Sequence, residues 1–112
     1  MTITDLEPKL VFGIFDEITK VPRPSKKEGK IREFLLEFAK RHNIEAKTDP
    51  IGNVAMRVPA TAGKEDAPTV VLQGHMDMVP NQTKPETHNF DTDPILTEVD
   101  GEWLHSKNYK TT

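Results

Sequence analysis

Thr69-Val70-Val71-Leu72-Gln73-Gly74-His75-Met76-Asp77 is the stretch on which the reading of this chain turns. Val70, Val71 and Leu72 are consecutive apolar residues, two of them β-branched, set between Pro68 and Gly74. The run is too short for a helix and is bounded as a strand is. Apolar side chains on both faces predict a strand covered on both sides, as at the centre of an α/β sheet. Ligands of such sheets gather beyond the carboxyl ends of the strands, which is where His75 and Asp77 fall. Side chains two apart on a strand point to one side, so an extended backbone through Met76 turns imidazole and carboxylate toward the same space. A neutral imidazole suits zinc, cobalt or manganese. A carboxylate beside it can fix its tautomer and raise its basicity, and Gly74 allows a tight turn there. The plainer reading is a polar residue where a strand becomes a loop. One His and one Asp do not complete a metal centre, because structural zinc takes four ligands and catalytic zinc usually three plus water.

Upstream, Leu10, Val11, Ile14, Phe15 and Ile18 recur at helical spacing and predict a helix over 8–19 with a core-facing stripe. Asp5 or Thr4 is placed to cap it, and Pro8 is tolerated in its first turn. Val21-Pro22-Arg23-Pro24 stops it. Ser25-Lys26-Lys27-Glu28 reads as a capping box opening a second helix over 25–41, with the stripe Ile31, Phe34, Leu35 and Phe38. His42 falls at the helix end, where the dipole favours it. Ile44 to Thr48 and Asn53 to Val58 read as hairpin strands around the turn Asp49-Pro50-Ile51-Gly52. Ala60 to Ala67 is a polar loop. Asn81 to Asp93 is a long polar segment carrying Pro85, His88 and Phe90, of the length that is often functional or disordered. Ile95 to Val99 and Glu102 to His105 flank Asp100-Gly101, a strong hairpin signal.

The 112 residues allow one modest domain. With 35% hydrophobic and 29% charged residues the composition is that of a soluble globular chain. No apolar stretch approaches the ~20 residues of a membrane span, and Met1 to Asp5 carries no secretory signal. The chain has no cysteine, which removes disulfides and thiolate metal sites and fits a reducing cytoplasm. A net charge of −3 argues against nucleic acid as a partner. The basic cluster Lys20, Arg23, Lys26, Lys27 and Lys30 has no interleaved aromatics and reads as a solvated loop and helix start.

With these residues in place, the chain resembles the N-terminal part of the bacterial aminoacyl-histidine dipeptidases, also called cytosol non-specific dipeptidases. They belong to the two-zinc peptidase superfamily with carnosine-type dipeptidases, peptidase T and carboxypeptidase G. The resemblance rests on Val21-Pro22-Arg23-Pro24-Ser25, Asp49-Pro50-Ile51-Gly52-Asn53-Val54, Val71-Leu72-Gln73-Gly74-His75-Met76-Asp77-Met78-Val79-Pro80 and His88-Asn89-Phe90. Asp93-Pro94-Ile95 and Val99-Asp100-Gly101-Glu102-Trp103-Leu104 fit as well, in order and at fitting intervals, up to about Lys107. It implies an α/β fold in which two N-terminal helices pack on a small mixed sheet, a fragment of the zinc-peptidase catalytic domain. Residues 1–112 are then a single partial domain. It implies His75 as a metal ligand and Asp77 as the catalytic aspartate that orients the imidazole, with zinc as cofactor and dipeptides, Xaa-His among them, as substrate.

The same resemblance implies a bridging aspartate, a Glu-Glu pair whose first member is the general base, and a distal histidine. None of these is matched here: after Leu104-His105-Ser106-Lys107 the chain reads Asn108-Tyr109-Lys110-Thr111-Thr112. The expectation is a truncated or frameshifted reading frame, or part of a split enzyme, that holds at most one zinc weakly and is inactive alone. The uncovered strand face predicts a homo-oligomer, formed through an exposed sheet edge or by exchange of the Ile95–His105 hairpin. The alternative is a non-catalytic module that binds itself or a partner.

Overall fold

The protein is described by a computed structural model over residues 1–83 and 88–107. Pro85 in the long polar segment, and Asn108 to Thr112 where the resemblance stops, lie outside the described residues. The chain forms two compact units, Met1–Ile31 with Asp77–Thr112, and Arg32–Met76. Among the described residues they hold two α-helices and two small antiparallel sheets, a mixed α/β composition as expected.

The first unit opens with a 3-10 turn, Ile3–Asp5. The Asp5 carboxylate accepts the Thr2 backbone N–H at 2.7 Å, and that bond, with the one from the Thr2 hydroxyl, holds Asp5 below the usual carboxylate range. Asp5 therefore caps the 3-10 turn and not the helix. Helix α1, Lys9–Thr19, follows Pro8, and its first N–H is met by Glu7, whose Oε2 accepts from Lys9 N at 3.0 Å. The 3-10 turn packs on α1 and buries Ile3. Three residues cover only part of a helical stripe. Ile14 and Ile18 are half-buried, whereas Leu10 and Val11 are exposed, contrary to the core role expected of them.

Thr19 ends α1 buried, its hydroxyl donating to the Asp16 carbonyl at 2.8 Å. Its own carbonyl accepts the Ile95 N–H at 2.8 Å, which ties the far end of the chain to α1. From there β3, Thr97–Asp100, pairs antiparallel with β4, Trp103–Ser106, in the register Thr97 to Ser106 and Val99 to Leu104. Gly101 takes φ +60° in the turn, a left-handed conformation that glycine adopts at little cost.

Helix α2, Gly29–Arg41, begins in the first unit and ends in the second. It starts later than the capping box predicts. Lys26 sits at φ +70° with its N–H bonded to Glu28 Oε1 at 2.7 Å, and the Ser25 hydroxyl is engaged elsewhere. Ile31 and Ala39 are both fully buried. The helix closes in a Schellman arrangement: Ile44 N–H reaches the Ala39 carbonyl at 2.8 Å and Asn43 N–H the Lys40 carbonyl at 3.3 Å, with Asn43 at φ +54°. His42 lies at that end as expected, its ring 4.3 Å from the Phe38 ring.

In the second unit β1, Glu45–Thr48, pairs antiparallel with β2, Val54–Arg57. The connecting turn is organised by Asp49. Its Oδ1 accepts the N–H groups of Ile51, Gly52 and Asn53 at 2.8–3.0 Å, and its Oδ2 accepts from Asn53 Nδ2 at 2.7 Å. Asn53, Gly52 and Ile51 together hold Asp49 below the usual carboxylate range, the Asn53 side chain most strongly.

Val70 to Leu72 differs from its expected state. It forms no strand, and Val70, Val71 and Leu72 are 79%, 81% and 92% exposed. The run has the composition of a central strand, but a strand exists only against a partner backbone. No described residue pairs with it.

Candidate functional site

The division between the units falls between Met76 and Asp77, so His75 and Asp77 belong to different units. His75 is an exposed side chain of the second unit.

Asp77 is half-buried in the first unit, where the loop after α1 holds it. Two prolines, Pro22 and Pro24, keep that loop from continuing the helix and bias the residues before them toward extended backbone. Pro24 and Met78 form a parallel bridge. Met78 N–H donates to the Arg23 carbonyl at 2.8 Å, and Ser25 N–H donates to the Met78 carbonyl at 3.1 Å. This pairing sets Arg23 level with Asp77 and Ser25 one step beyond, and the Ser25 hydroxyl donates to Asp77 Oδ2 at 2.6 Å. That length lies in the range of strong hydroxyl–carboxyl hydrogen bonds. Arg23 shares the setting. Burial lowers its guanidinium from the usual value, and the negative charge of Asp77 opposes that shift.

Sequence reasoning missed the roles of Ser25 and Arg23 beside Asp77. The reading of Ser25 as a helix cap was mistaken, since its hydroxyl is spent on a residue 52 positions away. The one signal that could have found it is the presence of Ser25 in a segment carrying the family resemblance.

The basic cluster is partly neutralised within the same unit. Lys27 Nζ lies 3.0 Å from both Asp91 carboxylate oxygens, Lys30 Nζ donates to the Asp91 carbonyl at 2.8 Å, and Lys20 pairs with Asp16. Asp91 is placed by an Asx turn, its N–H donating to Asn89 Oδ1 at 3.0 Å. Beside it the rings of His88 and Phe90 meet edge to face at 4.5 Å.

No family model matches the chain. The cytosol non-specific dipeptidase of Escherichia coli is 38% identical over 105 residues, a match that takes in 94% of this chain and 22% of the relative. In three dimensions, aminoacylhistidine dipeptidase from Vibrio alginolyticus superposes with a TM-score of 0.90 at 38% identity, over 96% of this chain and 22% of that one. This chain is a segment of that dipeptidase family. A protein of Pyrococcus furiosus named as a LysW-lysine/LysW-ornithine hydrolase is 34% identical over 74 residues, 66% of this chain and 21% of its own length. The chain thus spans about a fifth of the length of the dipeptidases and hydrolase it matches.

The chemistry of His75 suits one metal ligand, and the held carboxylate of Asp77 suits an orienting group. Among the described residues no three His, Asp or Glu side chains come together as a metal-binding group. Among the described residues no helix is long and apolar enough to cross a membrane.

Proposed function

We propose that this segment contributes to a zinc-dependent dipeptidase centre, with His75 as metal ligand and Asp77 as the carboxylate that orients it. The similarity to an aminoacylhistidine dipeptidase, at TM-score 0.90 over 96% of the chain, carries this reading. The substrate class is dipeptides, Xaa-His among them, in keeping with the name of that relative. The name of the Escherichia coli relative supports a cytoplasmic setting. Zinc in such a centre makes bound water nucleophilic at neutral pH. The bridging aspartate and general-base glutamate that the resemblance implies have no counterpart in the 112 residues. The segment by itself, a single partial domain in this reading, therefore holds at most one zinc weakly, because affinity comes from several fixed ligands. It also lacks the general base and its ~10²–10⁴-fold contribution.

Calorimetric zinc titration of the wild type and His75→Ala, with dipeptide hydrolysis followed in the same samples, tests this reading. The expected outcome is weak binding abolished by the substitution, without turnover. Zinc binding indifferent to His75→Ala, or turnover of Xaa-His dipeptides by the pure chain, rules it out.

The second reading, a self-associating module, is favoured by a specific surface. A groove of about 530 Å³ in the second unit is lined by Leu35, Val54, Met56 and the exposed run Val70 to Leu72. A second copy of this chain is its proposed occupant, since two-stranded sheets leave outer edges open to pairing. Exchange of the Ile95–His105 hairpin is the other route to the same homo-oligomer.

A further inference from the structure

One contact that constrains the proposed site comes from a residue outside the His75-Met76-Asp77 tripeptide. Asp77 is half-buried, and its Oδ2 takes a 2.6 Å bond from the Ser25 hydroxyl. The same hydroxyl also lies 3.4 Å from the Met78 carbonyl. The backbone beneath is paired in both directions, Met78 N–H to the Arg23 carbonyl and Ser25 N–H to the Met78 carbonyl. The Ser25 backbone is thus held beside the Asp77–Met78 segment by its own bond to Met78 and by that of its neighbour Arg23. A carboxylate on a strand end normally samples several staggered rotamers. Here a donor on a fixed backbone selects one. Carboxylates that orient metal-ligating imidazoles act through their direction as much as through their charge, so a residue that sets that direction belongs to the working site.

From this we infer that Ser25 is a positioning residue: its hydroxyl, delivered by the Pro24–Met78 bridge, fixes the orientation of the Asp77 carboxylate. The inference rests on the reading of Asp77 as the orienting carboxylate of a dipeptidase centre. Arg23 shares the electrostatic setting of the same carboxylate. The loop that ends α1 is thus part of the site's support as well as a connection between helices.

The test is the side-chain geometry of Asp77 in the 112-residue chain, read by NMR from the three-bond couplings between its α proton and its two β protons. In the wild type and in Ser25→Thr, which keeps the hydroxyl, the two couplings are expected to take the limiting values of a single χ1 rotamer, either one large and one small or both small. In Ser25→Ala they are expected to converge on rotamer-averaged values while the Met78 amide keeps its protection from exchange. Averaged couplings in the wild type overturn the proposal, whether or not Ser25→Ala folds. Retention of a single rotamer in Ser25→Ala, with the bridge intact, overturns it as well. No metal enters this measurement. A failed zinc titration removes the dipeptidase reading and leaves the Ser25 contact standing; an unpinned Asp77 removes the positioning role and leaves His75 as a candidate ligand.

Discussion

The guanidinium of Arg32 lies against Gly52, its Nε donating to the Gly52 carbonyl at 2.8 Å. Gly52 is at φ +101°, in the turn that joins β1 to β2. A Cβ placed there collides with the Arg32 guanidinium, which cannot withdraw without giving up its bond to the carbonyl. Gly52→Ala is expected to cost about 1–3 kcal/mol from backbone strain and displacement together. Combining it with Arg32→Ala should relieve the collision and leave the strain, about 1–2 kcal/mol. Urea unfolding of the two single variants and the double variant measures both parts. Strict additivity would show that the two residues do not meet.

Asp49 gives the hairpin an acid limit. Its carboxyl lies below the usual range because Asn53, Gly52 and Ile51 donate to its ionised form. The folded value is thus lower than the unfolded one. The stabilisation is complete above the unfolded aspartate value, about 3.9, and is lost as pH falls through the folded value. Chemical unfolding followed from pH 6 down to about pH 2 should lose stability more steeply in the wild type than in Asp49→Asn, which has no carboxyl to titrate. Parallel curves would remove Asp49 as the cause.

Asn43 closes α2 from the left-handed region. Glycine tolerates that conformation and alanine does not. Asn43→Gly should leave stability within about 0.5 kcal/mol of the wild type, and Asn43→Ala should lower it by about 1 kcal/mol. Thermal or urea melts monitored by helix signal distinguish the pair.

Val71 and Leu72 carry the test of self-association, being 81% and 92% exposed. Replacing both by aspartate should weaken dimerisation at least ~10-fold, since each buried apolar side chain is worth about 1.5–3 kcal/mol. Helix content should be unchanged, because neither residue has a packed environment to lose. Sedimentation or light scattering over a concentration series reads the effect. An unaltered profile places the contact elsewhere or shows that there is none.

What the sequence made legible was local. Asp100-Gly101 and Asp49-Pro50-Ile51-Gly52 announced their hairpins because turn chemistry is written in adjacent residues. The end of α2 was marked at Arg41-His42-Asn43 for the same reason. Ser25 was misread because a capping box and a long-range hydroxyl–carboxylate bond begin from the same residue type, and only the fold decides between them. Val70 to Leu72 was recognised as strand material, but pairing belongs to the partner as much as to the strand. His75 and Asp77 stood out as site candidates from their position after that run. The Arg23–Ser25 support did not, since nothing local links residues 52 positions apart.

That separation also sets an order of events. All of Arg32–Met76, the second unit, lies inside the loop that the Ser25–Asp77 contact closes. Closing so long a loop carries an entropy cost that grows with its length and is recovered only when the ends dock. A chain leaving the ribosome therefore has its hairpin turn and second helix available before Asp77 exists to be grasped. The Asp77 clamp is expected to be a late arrival in folding and, on transient opening, among the earliest interactions released.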